Sequence, residues 1–311
     1  MSGNTTLVFE TVHGSRAFGL ETPSSDTDYK GIIVGPSAWY LGYLERPEQE
    51  ILSADHVRFE IRKFFTLIAA TNPTVIEMLW CDPSDHVTVT RAGERLIDAR
   101  DGFLSKRVRG TFAGYARSQL KRIKTHRAWL LNPPEAEPTR GMFGLPERTL
   151  IPRDQQGAAE TLMARGEVST AALSPNFLEI LEREKAYRRA RKSWEQYRGW
   201  LENRNRDRAA LEARFGYDTK HAMHLVRLQR MAVEILRDKR VQVKRPDREE
   251  LLAIRNGAWT YDALMERCEA LEADIIAAAQ LSALPETPDE AALDRLCIEL
   301  VEEVLYENSG S

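Results

Sequence analysis

The chain has little cysteine and no long hydrophobic run. Its three cysteines, Cys81, Cys268 and Cys297, are odd in number and far apart. They form neither a disulfide framework nor the close pairs of a zinc site, which points to a reducing, cytoplasmic setting. No stretch approaches the roughly 18 consecutive apolar residues of a membrane span. The opening MSGNTTLVFE lacks the basic start and apolar core of a signal peptide, so none is expected. An internal repeat is also missing. So is charge of one sign: 44 basic and 47 acidic residues leave a net charge of −3, which on its own argues against nucleic acid as a partner. What is there is ordinary for a globular protein. Apolar residues make up 42% and charged residues 29%, too apolar a mixture for a disordered chain. A length of 311 residues suffices for a buried core in two domains or one large one.

The first hundred residues alternate between strand and helix patterns. Strands are predicted over 7–12, 29–34 and 55–59, a turn over 14–19, and helices over 61–70 and 74–80. Asn72-Pro73 ends the first of these helices. From about residue 104 the pattern is helical, with helices predicted over 112–131, 177–214, 219–236, 261–281 and 290–306. Residues 132–172 are rich in Pro and Gly and read as a loop or small insertion. Tyr187, Trp194, Tyr197 and Leu201 recur at helical spacing and form one apolar stripe, read as a packing face.

Chemistry concentrates in residues 13–34, HGSRAFGLETPSSDTDYKGIIV. Gly14-Ser15 follows an apolar strand and opens a turn, where a glycine lets backbone N–H groups approach a phosphate and a serine hydroxyl stands beside them. Ten intervening residues later, Asp26-Thr27-Asp28 leads into the next strand. Strand alternation puts Asp26 and Asp28 on one face. Two neighbouring carboxylates repel unless protonated, hydrogen-bonded or bound to a cation such as Mg²⁺. A third carboxylate completes a two-metal site for phosphoryl displacement. Asp55, at the start of the next strand, is the first candidate, and Glu60, at a strand-to-helix junction, is the second.

This order of strand, Gly-Ser, Asp-x-Asp and strand resembles the DNA polymerase β-like nucleotidyltransferase superfamily. Further stretches narrow the resemblance to the RNA-ligase-associated, YcgL-like predicted nucleotidyltransferases. They are residues 62–80 with the helix and its Asn-Pro, 217–236 with a Lys-His helix, and 254–264 and 282–289 near the end. In that family an acidic residue stands four positions before an aromatic, usually Tyr. Asp55 before Phe59 fits apart from the Phe. Tyr115, Gln119 and Arg122 match the family's Tyr-x-x-x-Gln-x-x-Arg pattern, which implies that they border the nucleotide.

The resemblance implies an α/β (α+β) fold: a nucleotidyltransferase core with a small mixed sheet over residues 1–100, then a mainly α-helical domain over 101–311. It implies a metal-dependent enzyme that transfers a nucleoside monophosphate from an NTP such as ATP to a hydroxyl, releasing pyrophosphate. Asp26, Asp28 and Asp55 are then the catalytic metal ligands for two Mg²⁺ (or Mn²⁺) ions, and Gly14 and Ser15 hold the β- and γ-phosphates. The expected acceptor is an RNA 3′ end. The alternatives are a protein or small-molecule acceptor, or a non-catalytic nucleic-acid-binding protein on this fold.

Two basic features bear on that choice. Lys220, His224 and Arg227 lie at i, i+4 and i+7 on one helical face that could meet a triphosphate. The other reading is a solvated face, or a core histidine paired with a carboxylate. His221 and His224 lack the further ligands a zinc site needs. Residues 102–134 contain no acidic residue, but carry Lys106, Arg107, Arg109, Arg117, Lys121, Arg122, Lys124 and Arg127, with Tyr115, His126 and Trp129 interleaved. Such a helix can track a phosphodiester backbone, or pair with acidic helices of the same chain at 179–184 or 299–303. The net charge therefore averages a segregated pattern and does not exclude RNA.

Overall fold

A computed structural model describes residues 5–149, 151–169, 173–204 and 206–309. The chain forms two compact units, Met1–Lys124 with Phe215–Ser311, and Thr125–Arg214. In chain order the first unit contains β1 (Thr6–His13), the one-turn α1 (Gly14–Ala17), β2 (Asp28–Val34), α2 (Ala38–Leu41), β3 (Gln49–Ser53), β4 (His56–Glu60), α3 (Ile61–Ala69), α4 (Pro73–Leu79), β5 (His86–Val89), α5 (Arg91–Ala99) and most of α6 (Val108–Leu131). The second unit holds the end of α6, then α7 (Arg153–Ala164), α8 (Pro175–Glu202) and nearly all of α9 (Arg206–Phe215). The first unit resumes with α10 (Thr219–Asp238), α11 (Arg248–Arg255), α12 (Tyr261–Leu281) and α13 (Glu290–Ser309). No helix is long and apolar enough to cross a membrane among the described residues.

The sheet is small and mixed, as expected, in the order β3-β4-β2-β1-β5. β2 pairs antiparallel with β1 and parallel with β4. One face of the β1–β2 pair packs on helices: Phe9 and Ile32 are fully buried with Ile61, Phe64 and Ile68 of α3. Each such side chain contributes roughly 1.5–3 kcal/mol of burial. On the other face Glu10, opposite Gly31, is buried and reaches across β2 to β4, where it bonds His56 Nε2 and Arg58 Nε, each at 2.7 Å.

Helix boundaries follow local chemistry. Asn72 accepts from Thr74 N at 3.0 Å and caps α4, whose first residue is Pro73. Asp218 caps α10 by accepting from His221 N at 2.9 Å. α10 is buried on nearly all sides, with Ala222, Leu225, Val226, Met231, Ala232 and Ile235 in the same core as the sheet.

That burial explains why a cut at residue 100 does not describe the compact units. The C-terminal helices pack on the N-terminal part: α13 lies against α3 and α5, and α10, with α12 against it, shares the core of the sheet. Elements with few apolar residues escape the sequence pattern. Edge strands β3 and β5 and helix α5 lie in stretches given no element from sequence. The 132–172 segment is not purely loop, since α7 lies within it; residues 150 and 170–172 fall outside the described ones. The predicted 177–214 helix is two, α8 and α9. The stripe on α8 does pack, with Tyr197 buried against Trp129, Trp194 and Trp200, whereas Leu201 is exposed.

Candidate active site

The site begins where β1 ends. His13 pairs across the strands with Asp28, and the next residue, Gly14, turns the chain with φ +67°. A Cβ at Gly14 would lie 1.9 Å from Asp28 Oδ2 and 2.7 Å from its Cγ. The bare backbone therefore lets the Gly14-Ser15 turn close onto the Asp28 carboxylate. The turn is held by Phe18 N donating to Gly14 O at 3.1 Å and Leu20 N donating to Ser15 O at 2.8 Å. The C-terminal part of the chain grips it too: Arg245 N donates to Phe18 O at 3.0 Å, and Arg248 Nε to Gly19 O. Gly14→Ala should cost about 1–2 kcal/mol from the left-handed backbone alone. Displacing Asp28 as well, it should lower turnover by about 10²-fold. A purified variant with wild-type turnover would separate this turn from the chemistry.

Beside the turn the carboxylates converge. The parallel register pairs Tyr29 with His56, which brings Asp28 level with Asp55, and Tyr29 N donates to Asp55 O at 2.7 Å. Burial pushes the Asp28 carboxyl above its ordinary range, and the charges of Asp55 and Asp26 add to that. Lys30 and Lys220 pull in the opposite direction. β2 starts at Asp28, so Asp26 lies in the lead-in to the strand and strand alternation does not place it. Lys30, which no motif in the sequence marks, stands two residues beyond Asp28 on the same strand face. Glu60 does not join the cluster. It pairs with Ile33 near the far end of β2, is buried, and caps α3 through Arg62 N at 3.1 Å and Lys63 N at 3.3 Å. Tyr40 Oη donates to it at 3.1 Å, and Arg46 and Arg62 approach within 3.6 Å.

The α10 face divides along its length. Lys220 acts on Asp28, and His224 is half-buried one turn on. Arg227 lies about 10 Å further along the axis than Lys220, by the helical rise, and has entered the core. It is buried, donates from Nη1 to Glu77 Oε1 at 2.6 Å, and stacks 3.6 Å from the Phe18 ring centre. Arg227 is therefore a core ion pair and not a solvent-facing phosphate contact. His221 is also internal, bonded to Asp218 Oδ2 at 2.5 Å. Behind Gly14, His13 is buried with Nε2 3.8 Å from Glu77 Oε2. Burial, reinforced by the charges of Arg227 and Lys30, lowers its imidazole to about 3 and keeps it neutral.

Residues 2–131 match the family model RlaP, the RNA repair pathway DNA polymerase beta family. The nucleotidyltransferase resemblance read from motif order is thus met over that segment. No curated protein and no solved structure matches the chain. The RlaP match takes in the whole sheet, the Gly14 turn, the three carboxylates and α6. Lys220 and the second unit beyond α6 lie outside it.

Within the RlaP-matching segment, α6 contributes less directly. Tyr115 is exposed and accepts from Asn72 Nδ2 at 3.0 Å. Gln119 Oε1 is buried without a partner among the described residues, and Arg122 is exposed. No hydrogen bond or ion pair joins these three to the carboxylate cluster among the described residues. Several basic residues are engaged within the chain: Lys106 with Glu286 at 2.7 Å, Arg107 with Glu290 at 3.1 Å and Arg117 with Glu272 at 3.3 Å. The acidic partners differ from those expected. Glu299 and Glu303 bind Arg95, and Glu184 binds Arg140. His126 and Trp129 stack on one another and lie tilted against Trp200. Arg109, Lys121 and Arg122 make no ion pair among the described residues.

All three cysteines are buried thiols, and burial pushes each up to about 12. None is a nucleophile at neutral pH.

Proposed function

We propose that the protein is a metal-dependent nucleotidyltransferase that adds a nucleoside monophosphate from an NTP to the 3′ end of an RNA. The acceptor oxygen bonds to the α-phosphorus, the bond from that phosphorus to the bridging oxygen breaks, and pyrophosphate leaves while the hydroxyl proton passes to water. One observation carries the reading: Asp28 is half-buried against the Gly14 turn while the charges of Asp55 and Asp26 bear on it. Carboxylates crowded in this way favour a hard cation. Asp26 and Asp28 would hold two Mg²⁺ (or Mn²⁺) ions and Asp55 one of them, and a bound metal there lowers the pKa of the acceptor hydroxyl and neutralises phosphate charge.

The chain's own groups do the positioning. Gly14 and Ser15 present N–H groups and a hydroxyl to the β- and γ-phosphates. Lys30 and Lys220 add positive charge beside them, with His224 next along α10. Tyr115, Gln119 and Arg122 border the nucleotide on the strength of the family pattern. The setting is the cytoplasm, in keeping with three free cysteines.

The test incubates the full chain with each α-labelled NTP and Mg²⁺ or Mn²⁺, with RNA, with total protein and with no acceptor. Label should enter RNA, lengthen it by one nucleotide and release pyrophosphate. Transfer should fall steeply with salt, because RNA binding releases counterions. Label in protein with a flat salt response would replace RNA by a protein acceptor. Label nowhere would favour a non-catalytic binding protein.

A further inference from the structure

The second unit contains a cavity of about 910 Å³ between α7, α8 and the segment before α7. That is within the size range of small-ligand sites. One wall is a fixed hydrogen-bond network. Glu184, buried, accepts from Arg140 at 2.5 and 3.1 Å and from Thr149 Oγ1 at 3.0 Å. The Arg140 guanidinium holds this carboxyl below the usual carboxylate range. Gln156, also buried, donates from Nε2 to Thr149 Oγ1 at 3.1 Å and to Ile151 O at 2.6 Å.

The lining is cationic beyond what its own acids match. Seven basic side chains face three acidic ones, and the acids are already taken: Glu184 by Arg140, Glu160 by Arg188 and Glu195 by Arg191. Arg153, Arg189 and Lys192 are exposed and have no partner among the described residues. An anion is therefore the favoured occupant.

Two unmet atoms define the anion further. Among the described residues, Arg188 Nη1 is a buried donor without an acceptor, and Gln156 Oε1 is a buried acceptor without a donor. Inside a protein each is costly to leave unmet. A bare anion would satisfy only the arginine. A ligand that carries a hydroxyl close to a phosphate satisfies both. We propose that this cavity is a second, non-catalytic site that binds the ribose-phosphate backbone of an RNA strand. The choice of an RNA strand over a free nucleotide rests on the acceptor reading above. The chemistry of the site does not.

Binding of a fluorescent single-stranded oligoribonucleotide to the full-length chain tests this, in an Asp28→Asn background that blocks transfer. The triple variant R153Q/R189Q/K192Q changes only exposed, unpartnered side chains, so its fold is safe. It should bind the RNA at least about tenfold more weakly, with the slope of log K against log salt reduced by about 0.7 per lost phosphate contact. DNA of the same sequence, lacking the 2′-hydroxyl, should bind about fivefold more weakly than RNA, and Gln156→Leu should remove that difference. Unchanged RNA affinity in the triple variant overturns the site. Equal affinity for RNA and DNA overturns the ribose contact. ATP competing as well as the strand would make the ligand a free nucleotide. Binding here by a wild-type chain that transfers nothing would sink the transferase reading alone.

Discussion

Asp28→Asn should reduce nucleotidyl transfer by several kcal/mol of activation free energy, a loss on the order of 10³-fold or more. The substitution keeps the side chain's size, so the close approach of Gly14 to its Oδ2 survives. What it removes is the charge that the proposed Mg²⁺ site requires. The folded state should not suffer. Asp28 is half-buried under the charges of Asp55 and Asp26, and the amide relieves that repulsion. The expected signature is an inactive protein whose thermal midpoint is unchanged or higher. The sign of the pH effect follows from the same crowding. Because the Asp28 carboxyl sits above its ordinary range, protons compete for it at higher pH than for a free aspartate. The Mg²⁺ concentration needed for half-maximal transfer should therefore rise as pH falls. Near-wild-type transfer by purified Asp28→Asn would remove the two-metal assignment.

How legible the site was depended on how local its parts are. The Gly-Ser turn and Asp-x-Asp lie within fifteen residues, and strand, turn and strand patterns frame them. The choice between Asp55 and Glu60 was not local. The parallel register of β2 with β4 sets them five residues of strand apart, about 16 Å, with Asp55 at the Asp28 end. Edge strands β3 and β5 carry too little apolar residue to announce themselves, since each is covered on one side at most. α7, with the sequence RDQQGAAETLMA, has one buried residue and hence little periodic signal. The α10 face misled for a different reason. Periodicity reports direction around a helix and not depth along it, so Lys220 and Arg227 share a face while the charge of one bears on Asp28 and the other enters the core. A signal for the second fate was present. Glu77 stands alone in the apolar run TVIEMLW, and a lone carboxylate in a core helix needs a cationic partner.

Glu77→Leu should destabilise the fold by about 3–5 kcal/mol, because it leaves the Arg227 guanidinium buried and unpaired. Arg227 is held by Glu77 Oε1 at 2.6 Å and by the Phe18 ring, and its Nε lacks a partner among the described residues. Arg227→Met should cost less. Burial pushes the Glu77 carboxyl above its ordinary range even with the arginine in place, so the orphaned acid can take up a proton. The double variant Glu77→Leu/Arg227→Met replaces the pair by apolar side chains and should recover most of the loss, since such exchanges are often neutral or stabilising. Urea unfolding of the four proteins measures the coupling directly. A coupling below about 1 kcal/mol would mean that the pair is no stronger than an exposed one. The same double variant decides what Arg227 does for function. If the arginine touched an incoming triphosphate, the refolded protein would lose transfer. With the arginine acting only through the core, where it fixes α10 against α4 and so holds Lys220 beside Asp28, the double variant should bind Mg²⁺ and NTP as the wild type does, and Lys220→Ala alone should weaken NTP binding.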